Sequence, residues 1–385
     1  FLALQGAPQN GKRPVLLAAR NAHKALLYAA ALLDFDIRWL WPSAQAEGAL
    51  CSCPVTAEAL TGALHALAQQ GISPFGVYVT SPDYLGGVQD IAALAGVCDT
   101  FGVPLLVDNA HGAYLRFLPQ NCHPIAQGAA MCCDSAHKTL PVVTGGAYLH
   151  LAHDAPVQDE AAVRGALALF GSTSPSYLIL QSLDACNRQL TESYPAGLQR
   201  CCSRLAALRG ELNAAAQAAG CPVPLALDGP GREPLKLTLD AAALGCTGTA
   251  LADALRRAQL ECEYADPRYV VLMFTPENPP QDYTRLQTVL EQLLAAVPAG
   301  LSRPENRAGE FAALQQQAAQ RCTIRQAVLG AQVRIPVHKT LGRVCAMPTV
   351  SCPPAIPVAV SGEEITPAAI ALMQRYGIEE LSVLR

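Results

Sequence analysis

Residues 103–108 read Val-Pro-Leu-Leu-Val-Asp, a short apolar run that ends on a carboxylate. An apolar run of this length between turn residues is typical of a buried strand. The run at residues 76–80 has the same character, and helical spacing fills residues 88–101 between the two. Strands that alternate with helices in this way predict a doubly wound, largely parallel sheet. Ligands of such sheets bind at the carboxyl ends of the strands, so Asp108 lies where a ligand is expected.

The alternation continues on both sides of this stretch. Further strands are expected at residues 14–19, 37–41, 129–133, 235–239 and 269–274. Helices are expected at residues 23–33, 56–70, 182–220 and 250–257. After a turn at 276–280 we expect a polar helix to about Arg321 and a Pro-rich segment at 348–357. We therefore predict three units, at residues 1–195, 196–300 and 301–385.

Composition excludes several classes of protein. The 385 residues are 51% apolar and 15% charged, which is too apolar for a disordered chain. A net charge of −4 gives no basic field for binding nucleic acid. Apolar stretches such as residues 25–33 are too short for a membrane helix, and no secretory signal opens the chain. We expect a cytoplasmic protein with neither nucleic acid nor a membrane as its partner, and with N-terminal sequence missing because no Met begins the chain.

The spacing of the cysteines and histidines in the sequence matches no metal-binding motif. Fifteen cysteines are spread along the chain without a Cys-x-x-Cys pair, which favours reduced thiols in a cytosolic protein. His150 and His153 are close in sequence, but no third ligand stands nearby. We interpret that pair as the polar end of a strand and predict no metal ion.

Two polar motifs carry the chemistry. Asp108-Asn-Ala-His111 follows one predicted strand, and Asp134-Ser-Ala-His-Lys138 follows another. A lysine at a strand end can form a Schiff base with a carbonyl cofactor such as pyridoxal 5′-phosphate (PLP). That chemistry also needs a carboxylate to keep the pyridine nitrogen protonated. Each residue alone has a structural explanation, but the two together favour a cofactor site.

These motifs resemble those of a known family. Residues 104–113 and 134–141 are similar to the two PLP motifs of the bacterial ornithine/lysine/arginine decarboxylases. Other stretches agree in order: 20–24, 80–87, 172–177 and 236–240, with weaker matches at 342–343, 353–357 and 362–363. The resemblance implies an α/β fold with a PLP-dependent transferase-like large domain, 1–195, whose sheet is mostly parallel. A small α/β domain, 196–300, and a C-terminal α+β domain, 301–385, would follow.

The resemblance also implies a role for each matching residue. Lys138 would bind PLP covalently, and Asp108 would pair with the pyridinium nitrogen. The remaining cofactor-binding residues would be Ala110 and His111 in the first motif, Ser135 and His137 toward the phosphate, and His23 stacked on the ring. Ser172, Thr173 and Ser174 would reach the cofactor of a neighbouring subunit, which implies a homodimer. Glu363 would bind the distal cation of the substrate or else be a solvated helix cap.

Some positions depart from the family pattern. Asn109 stands where the family usually has Glu, Ala22 where it has Cys, and Gly145-Gly146 where it has Gln. A Gly-Ser-Thr phosphate loop should precede His23, but the chain offers only residues 1–8 there, so we expect a shortened loop. The leading hypothesis is decarboxylation of ornithine, lysine or arginine. The alternatives are another PLP lyase or aminotransferase, and a catalytically weakened homologue that acts as a binding or structural partner.

Overall fold

A computed structural model describes residues 1–5, 13–42, 48–157, 159–298, 300–305, 307–348 and 354–385. The expected phosphate-loop residues 6–8 and positions 349–353 of the Pro-rich segment lie outside the described residues. The strands are β1 (Val15–Ala19), β2 (Asp36–Leu40), β3 (Gly76–Thr80), β4 (Leu105–Asp108), β5 (Met131–Asp134), β6 (Tyr148–Leu151), β7 (Lys236–Asp240), β8 (Tyr264–Ala265), β9 (Tyr269–Met273), β10 (Gln332–Pro336), β11 (Cys345–Met347) and β12 (Glu380–Leu384). The helices are α1 (Leu2–Gln5), α2 (Lys24–Leu33), α3 (Ala57–Gln69), α4 (Ile91–Phe101), α5 (Ala136–Thr139), α6 (Glu160–Phe170), α7 (Tyr177–Glu192), α8 (Tyr194–Ala218), α9 (Gly248–Arg257), α10 (Pro280–Ala295), α11 (Ala308–Gln317), α12 (Ile324–Leu329) and α13 (Pro367–Arg375).

Six strands form the central sheet, in the order β2-β1-β3-β4-β5-β6. Every neighbouring pair is parallel except β5 and β6, which are antiparallel. The register places Asp108 beside Thr80 of β3 on one side and beside Cys133 of β5 on the other. The predicted α/β fold with a mostly parallel sheet is confirmed, and Asp108 ends a central strand.

Helices cover the two faces of this sheet because its inner strands are apolar on both sides. Leu17 and Ala19 of β1 pack in one core with residues of α3 and α4. Leu16 and Ala18, which point the opposite way, pack in a second core with residues of α2. Burial on both faces explains why β1 is a continuous apolar run rather than an alternating one.

The small antiparallel sheet β7-β9-β8 packs with α8, α9 and α10 in a third core.

The prediction of one continuous helix over 182–220 is wrong in one respect. The chain forms two helices there, and α8 begins at Tyr194 with Pro195 in its first turn. Proline has no N–H to donate to the preceding turn, so the first helix ends before it. The polar helix predicted to run to about Arg321 is likewise two helices, α10 and α11.

A third sheet, β10-β12-β11, packs against α13 near the end of the chain. Its core also contains Tyr264 and Val271 of the small sheet and Leu50 from the segment between β2 and α3, so the C-terminal elements contact both of the preceding units. The predicted border at residue 195 falls in the first turn of α8, and the one at 300 falls between α10 and α11. The three-domain division stays a prediction. Among the described residues, no helix has the length and apolar character needed to cross a bilayer.

Candidate active site

Lys138 lies just beyond the carboxyl end of β5. Ser135 follows the strand and precedes α5, a single helical turn that carries His137 and Lys138. The Lys138 Nζ lies 3.0 Å from His111 Nε2, which belongs to the motif that follows β4. The two polar motifs of the sequence therefore meet at one edge of the sheet, as their positions after neighbouring strands predict.

Both carboxylate oxygens of Asp108 are held in place. The Tyr78 hydroxyl donates to Oδ2 at 2.8 Å, and the Ala110 backbone N–H donates to Oδ1 at 3.2 Å. Burial raises the pKa of Tyr78 well above its usual value, and the Asp108 charge raises it further, so the hydroxyl keeps its proton. Asp108 therefore presents a fixed negative charge at the end of β4. Tyr78 lies on the strand predicted at 76–80, but the sequence alone assigned it no role.

His111 is held in its neutral form. Burial lowers its pKa well below the usual value, and the charges of Lys236 and Lys138 lower it further. A neutral imidazole accepts through one nitrogen, so Nε2 accepts from the Lys138 ammonium and Nδ1 carries the proton. Nδ1 is buried and has no hydrogen-bond partner in the part of the chain that the structure describes. Thr80 Oγ1, beside Asp108 in the sheet register, is likewise buried without a hydrogen-bond partner among the described residues.

A second lysine lies beside the first. Lys236 of β7 is buried, and its Nζ donates to the Asp83 carbonyl at 2.6 Å. The Tyr84 ring centroid is 5.6 Å from Lys138 Nζ and 5.8 Å from Lys236 Nζ, and the ring meets His111 edge-on at 4.6 Å. Burial lowers the pKa of Lys236 against the opposing charges of Glu233 and Asp83. Sequence reasoning missed both Tyr84 and Lys236, although each lies in a stretch that carries the family resemblance.

The two other predicted histidines reach the same region through their helices. His23 precedes α2, and its Nδ1 accepts from the Ala25 N–H at 3.1 Å. Burial lowers the pKa of His23, while the Asp108 charge opposes the shift. The His137 ring donates through Nδ1 to the Gly146 carbonyl at 2.9 Å, which leaves Nε2 for a ligand. A side chain at position 146 would place its Cβ 2.3 Å from Val142, so the close turn requires glycine there.

Two other predicted site elements lie elsewhere in this chain. Residues 172–174 are exposed in the segment between α6 and α7, where the Ser172 hydroxyl accepts from the Ser174 N–H at 3.1 Å. Glu363 is buried and forms a 3.2 Å ion pair with Arg20. The interpretation of Glu363 as a solvated helix cap is wrong, because the side chain is inaccessible and Thr366 caps α13 itself.

Comparison with known proteins shows to which family the chain belongs. The family model described as Orn/Lys/Arg decarboxylase, major domain, matches residues 8–230, which is more than half of the chain. The chain belongs to the Orn/Lys/Arg decarboxylase family. It is 27% identical over 365 residues to the arginine decarboxylase of Bacillus subtilis (strain 168), a match that covers 91% of this chain and 70% of that relative. It is 29% identical over 262 residues to the uncharacterized protein YaaO of the same organism, with 67% of this chain and 52% of that protein covered.

Solved structures agree in fold. The lysine decarboxylase LdcF of Francisella novicida superposes with a TM-score of 0.75 at 18% identity, covering 100% of this chain and 68% of that one. The constitutive lysine decarboxylase of E. coli gives a TM-score of 0.73 at the same identity and coverage. The chain therefore has the fold of these enzymes, and its family membership makes it a PLP-dependent decarboxylase, as the motifs predicted.

The residues at the strand ends fit this cofactor. Lys138 offers a primary amine, and Asp108 offers a carboxylate whose two oxygens are already oriented. Buried polar atoms are nearly always paired, so the unpartnered His111 Nδ1 and Thr80 Oγ1 indicate where a polar ligand would complete the site. The donor set and these two atoms together match a cofactor that carries an aldehyde, a ring nitrogen and a phosphate.

Proposed function

We propose that this chain decarboxylates a basic amino acid, with arginine as the preferred substrate, at the site built from Lys138, Asp108 and His23. The observation that carries the proposal is the contact of Lys138 with a neutral His111, one strand away from the oriented Asp108 carboxylate. Arginine is favoured over lysine and ornithine because the curated relatives that span nine-tenths of the chain are named arginine decarboxylases.

Each side chain has a defined task. Bound PLP supplies an electron-accepting ring on which the bond to the substrate carboxylate can break. His111 Nε2 holds Lys138 Nζ at the end of the strand, where the lysine amine would bond to the aldehyde of the cofactor. The Asp108 carboxylate would pair with the ring nitrogen of bound PLP and keep it protonated. With substrate in the site, the Lys138 amine would be available to return a proton to the substrate carbon.

The surrounding residues orient these groups. Tyr78 and the Ala110 N–H fix the Asp108 carboxylate, and the Tyr84 ring lies 5.6 Å from Lys138 Nζ and 5.8 Å from Lys236 Nζ. Ser135, the His137 Nε2 and the α5 backbone would meet the phosphate. Ala110 would lie against the ring beside Asp108.

We further propose that the enzyme is a cytoplasmic homodimer. The support is a run of exposed apolar side chains around the predicted intersubunit segment 172–174. Its members are Leu167, Leu169, Phe170, Tyr177, Leu178 and Leu180. Exposed apolar side chains gathered in one region are typical of a protein interface. A second copy that covers them would bring Ser172, Thr173 and Ser174 toward its own cofactor.

The test is decarboxylation by the PLP-loaded protein. Arginine, lysine and ornithine are supplied separately, and released carbon dioxide and the amine product are measured, with Lys138→Ala as the control. We expect both products from arginine at the highest kcat/KM, and none from the control. A keto acid in place of the amine would indicate an aminotransferase. No product from any of the three amino acids, with PLP bound, would favour the weakened homologue.

The dimer is tested separately by sedimentation. Leu178→Glu, in the exposed apolar run, is expected to convert dimers into monomers and to weaken PLP retention. A wild-type protein that is monomeric at all concentrations would contradict the shared site.

A further inference from the structure

Three side chains outside the cofactor site converge on one point at the other face of β5. Asp134 is the last residue of that strand, His150 lies on the antiparallel neighbour β6, and His123 precedes a short 3₁₀ helix. Strand alternation turns Asp134 away from Cys133, whose Sγ is 4.0 Å from Asp108. The cluster therefore belongs to the same strand as the active site but faces the opposite way.

The distances suit coordination of a small metal ion. His123 Nε2 lies 3.1 Å from Asp134 Oδ2, and His150 Nε2 lies 3.0 Å from the same oxygen. One ligand atom from each of the three residues falls within 4.8 Å of the others. Nitrogen and oxygen ligands about 2.0–2.1 Å from a tetrahedral zinc ion stand about 3.3 Å apart. A metal ion would therefore need only small movements of the three side chains.

Hydrogen bonds orient the Asp134 carboxylate for binding a cation. Asp134 Oδ2 accepts from both His123 Nε2 and His150 Nε2, so both imidazole rings already converge on this one oxygen. Asn109 donates to the other oxygen, Oδ1, at 2.7 Å and so directs Oδ2 toward the histidines. His123 Nδ1 accepts from the Ile125 N–H at 3.4 Å, a long contact that is easily given up if Nδ1 takes the proton and Nε2 binds metal.

An independent observation indicates room for a ligand. The three residues line a cavity of about 590 Å³ together with Tyr148. The Tyr148 hydroxyl is buried and, among the described residues, has no hydrogen-bond partner. Sites with three protein ligands leave a fourth position for water or another small ligand. A water molecule bound to the metal would occupy the cavity that Tyr148 also lines.

We propose that His123 Nε2, Asp134 Oδ2 and His150 Nε2 bind one divalent transition-metal ion of the zinc class, with the fourth position open to the cavity. Ions of this class bind two histidines and a carboxylate more readily than magnesium or calcium ions do. The ion would take the place of the two imidazole N–H groups that donate to the buried Asp134 carboxylate. It would sit beside Asn109, whose backbone N–H donates to the Cys133 carbonyl at 3.0 Å. The site does not depend on the substrate of the enzyme.

The experiment is a calorimetric titration of the PLP-loaded protein with Zn²⁺ after removal of metals by a chelator. We expect one zinc ion per chain, and visible absorption of a four-coordinate ion when Co²⁺ replaces zinc. His150→Gln, at a partly exposed position, is expected to weaken zinc binding by at least about tenfold. His153→Gln is the matched control, because His153 is exposed and lies three residues further along the chain.

Two results would overturn the proposal. One is the lack of stoichiometric zinc binding to the wild-type protein, which would leave the cluster as a hydrogen-bonded network alone. The other is equal affinity of the wild-type and His150→Gln proteins, which would place the bound ion elsewhere, for example on the cofactor phosphate. A thermal unfolding curve confirms that each variant is folded before its affinity is compared.

Discussion

Replacing Asp108 by Asn tests the role of its charge at the end of β4. The amide has nearly the same shape as the carboxylate, so the packing around it stays intact. If its oxygen accepts from the Tyr78 hydroxyl, as Asp108 Oδ2 does at 2.8 Å, its NH₂ group faces the Ala110 N–H. The variant therefore loses one hydrogen bond to a charged group, worth about 1.5–3 kcal/mol, as well as the charge that faces the ring nitrogen.

We expect kcat/KM for Asp108→Asn to fall at least about a hundredfold, the equivalent of about 2.7 kcal/mol of transition-state stabilisation. The assay is carbon dioxide release at several substrate concentrations, with the absorbance of bound PLP recorded in parallel. Tyr78→Phe is the matched control. It keeps the charge and removes one donor, so we expect a smaller loss, on the order of tenfold.

A single result would refute this reasoning. If Asp108→Asn turns over within about threefold of the wild-type rate, less than 1 kcal/mol of stabilisation depends on the charge, and another group must protonate the ring. An equal loss in Asp108→Asn and Tyr78→Phe would mean that position, rather than charge, is what Asp108 contributes.

Three other predictions concern separate parts of the molecule. Borohydride treatment of the PLP-loaded protein should attach the pyridoxyl group to Lys138, as read by mass spectrometry, and a label on Lys236 instead would reverse the roles of the two lysines. Leu205→Ala on α8 removes a fully buried side chain and should lower the free energy of unfolding by about 2–5 kcal/mol, whereas Glu211→Ala on the exposed side of the same helix should change it little. The pKa of Asp134, about 2 in the folded chain against an ordinary 3.8, contributes about 2 kcal/mol of stability that is present above about pH 4 and is lost as the pH falls toward 2. Denaturant unfolding at pH 5 and pH 3 should show about half of that decrease, about 1 kcal/mol, in the wild-type protein and a smaller one in Asp134→Asn.

Sequence reasoning predicted the parallel sheet and the meeting of its two polar motifs, because both depend on local patterns. Apolar runs such as 103–108 identify strands, and the alternation with helices makes them parallel, so residues that follow neighbouring strands must share an edge. The break before α8 was also available from sequence, since Pro195 cannot donate the N–H that a continuous helix needs. The regular apolar spacing on both sides of Pro195 nevertheless favoured a single helix in the prediction.

The contacts that complete the two sites could be decided only by the tertiary structure. Lys236 reaches the Asp83 carbonyl across 153 positions of sequence, and Tyr84 meets both lysines through the packing of the small sheet against the large one. His150 pairs with Asp134 rather than with His153, because the antiparallel register sets His150 of β6 opposite Cys132, two residues before Asp134 on the same face of β5. Local propensity determines which strand a side chain stands on and which face it takes. Register and packing between distant segments determine what that side chain touches.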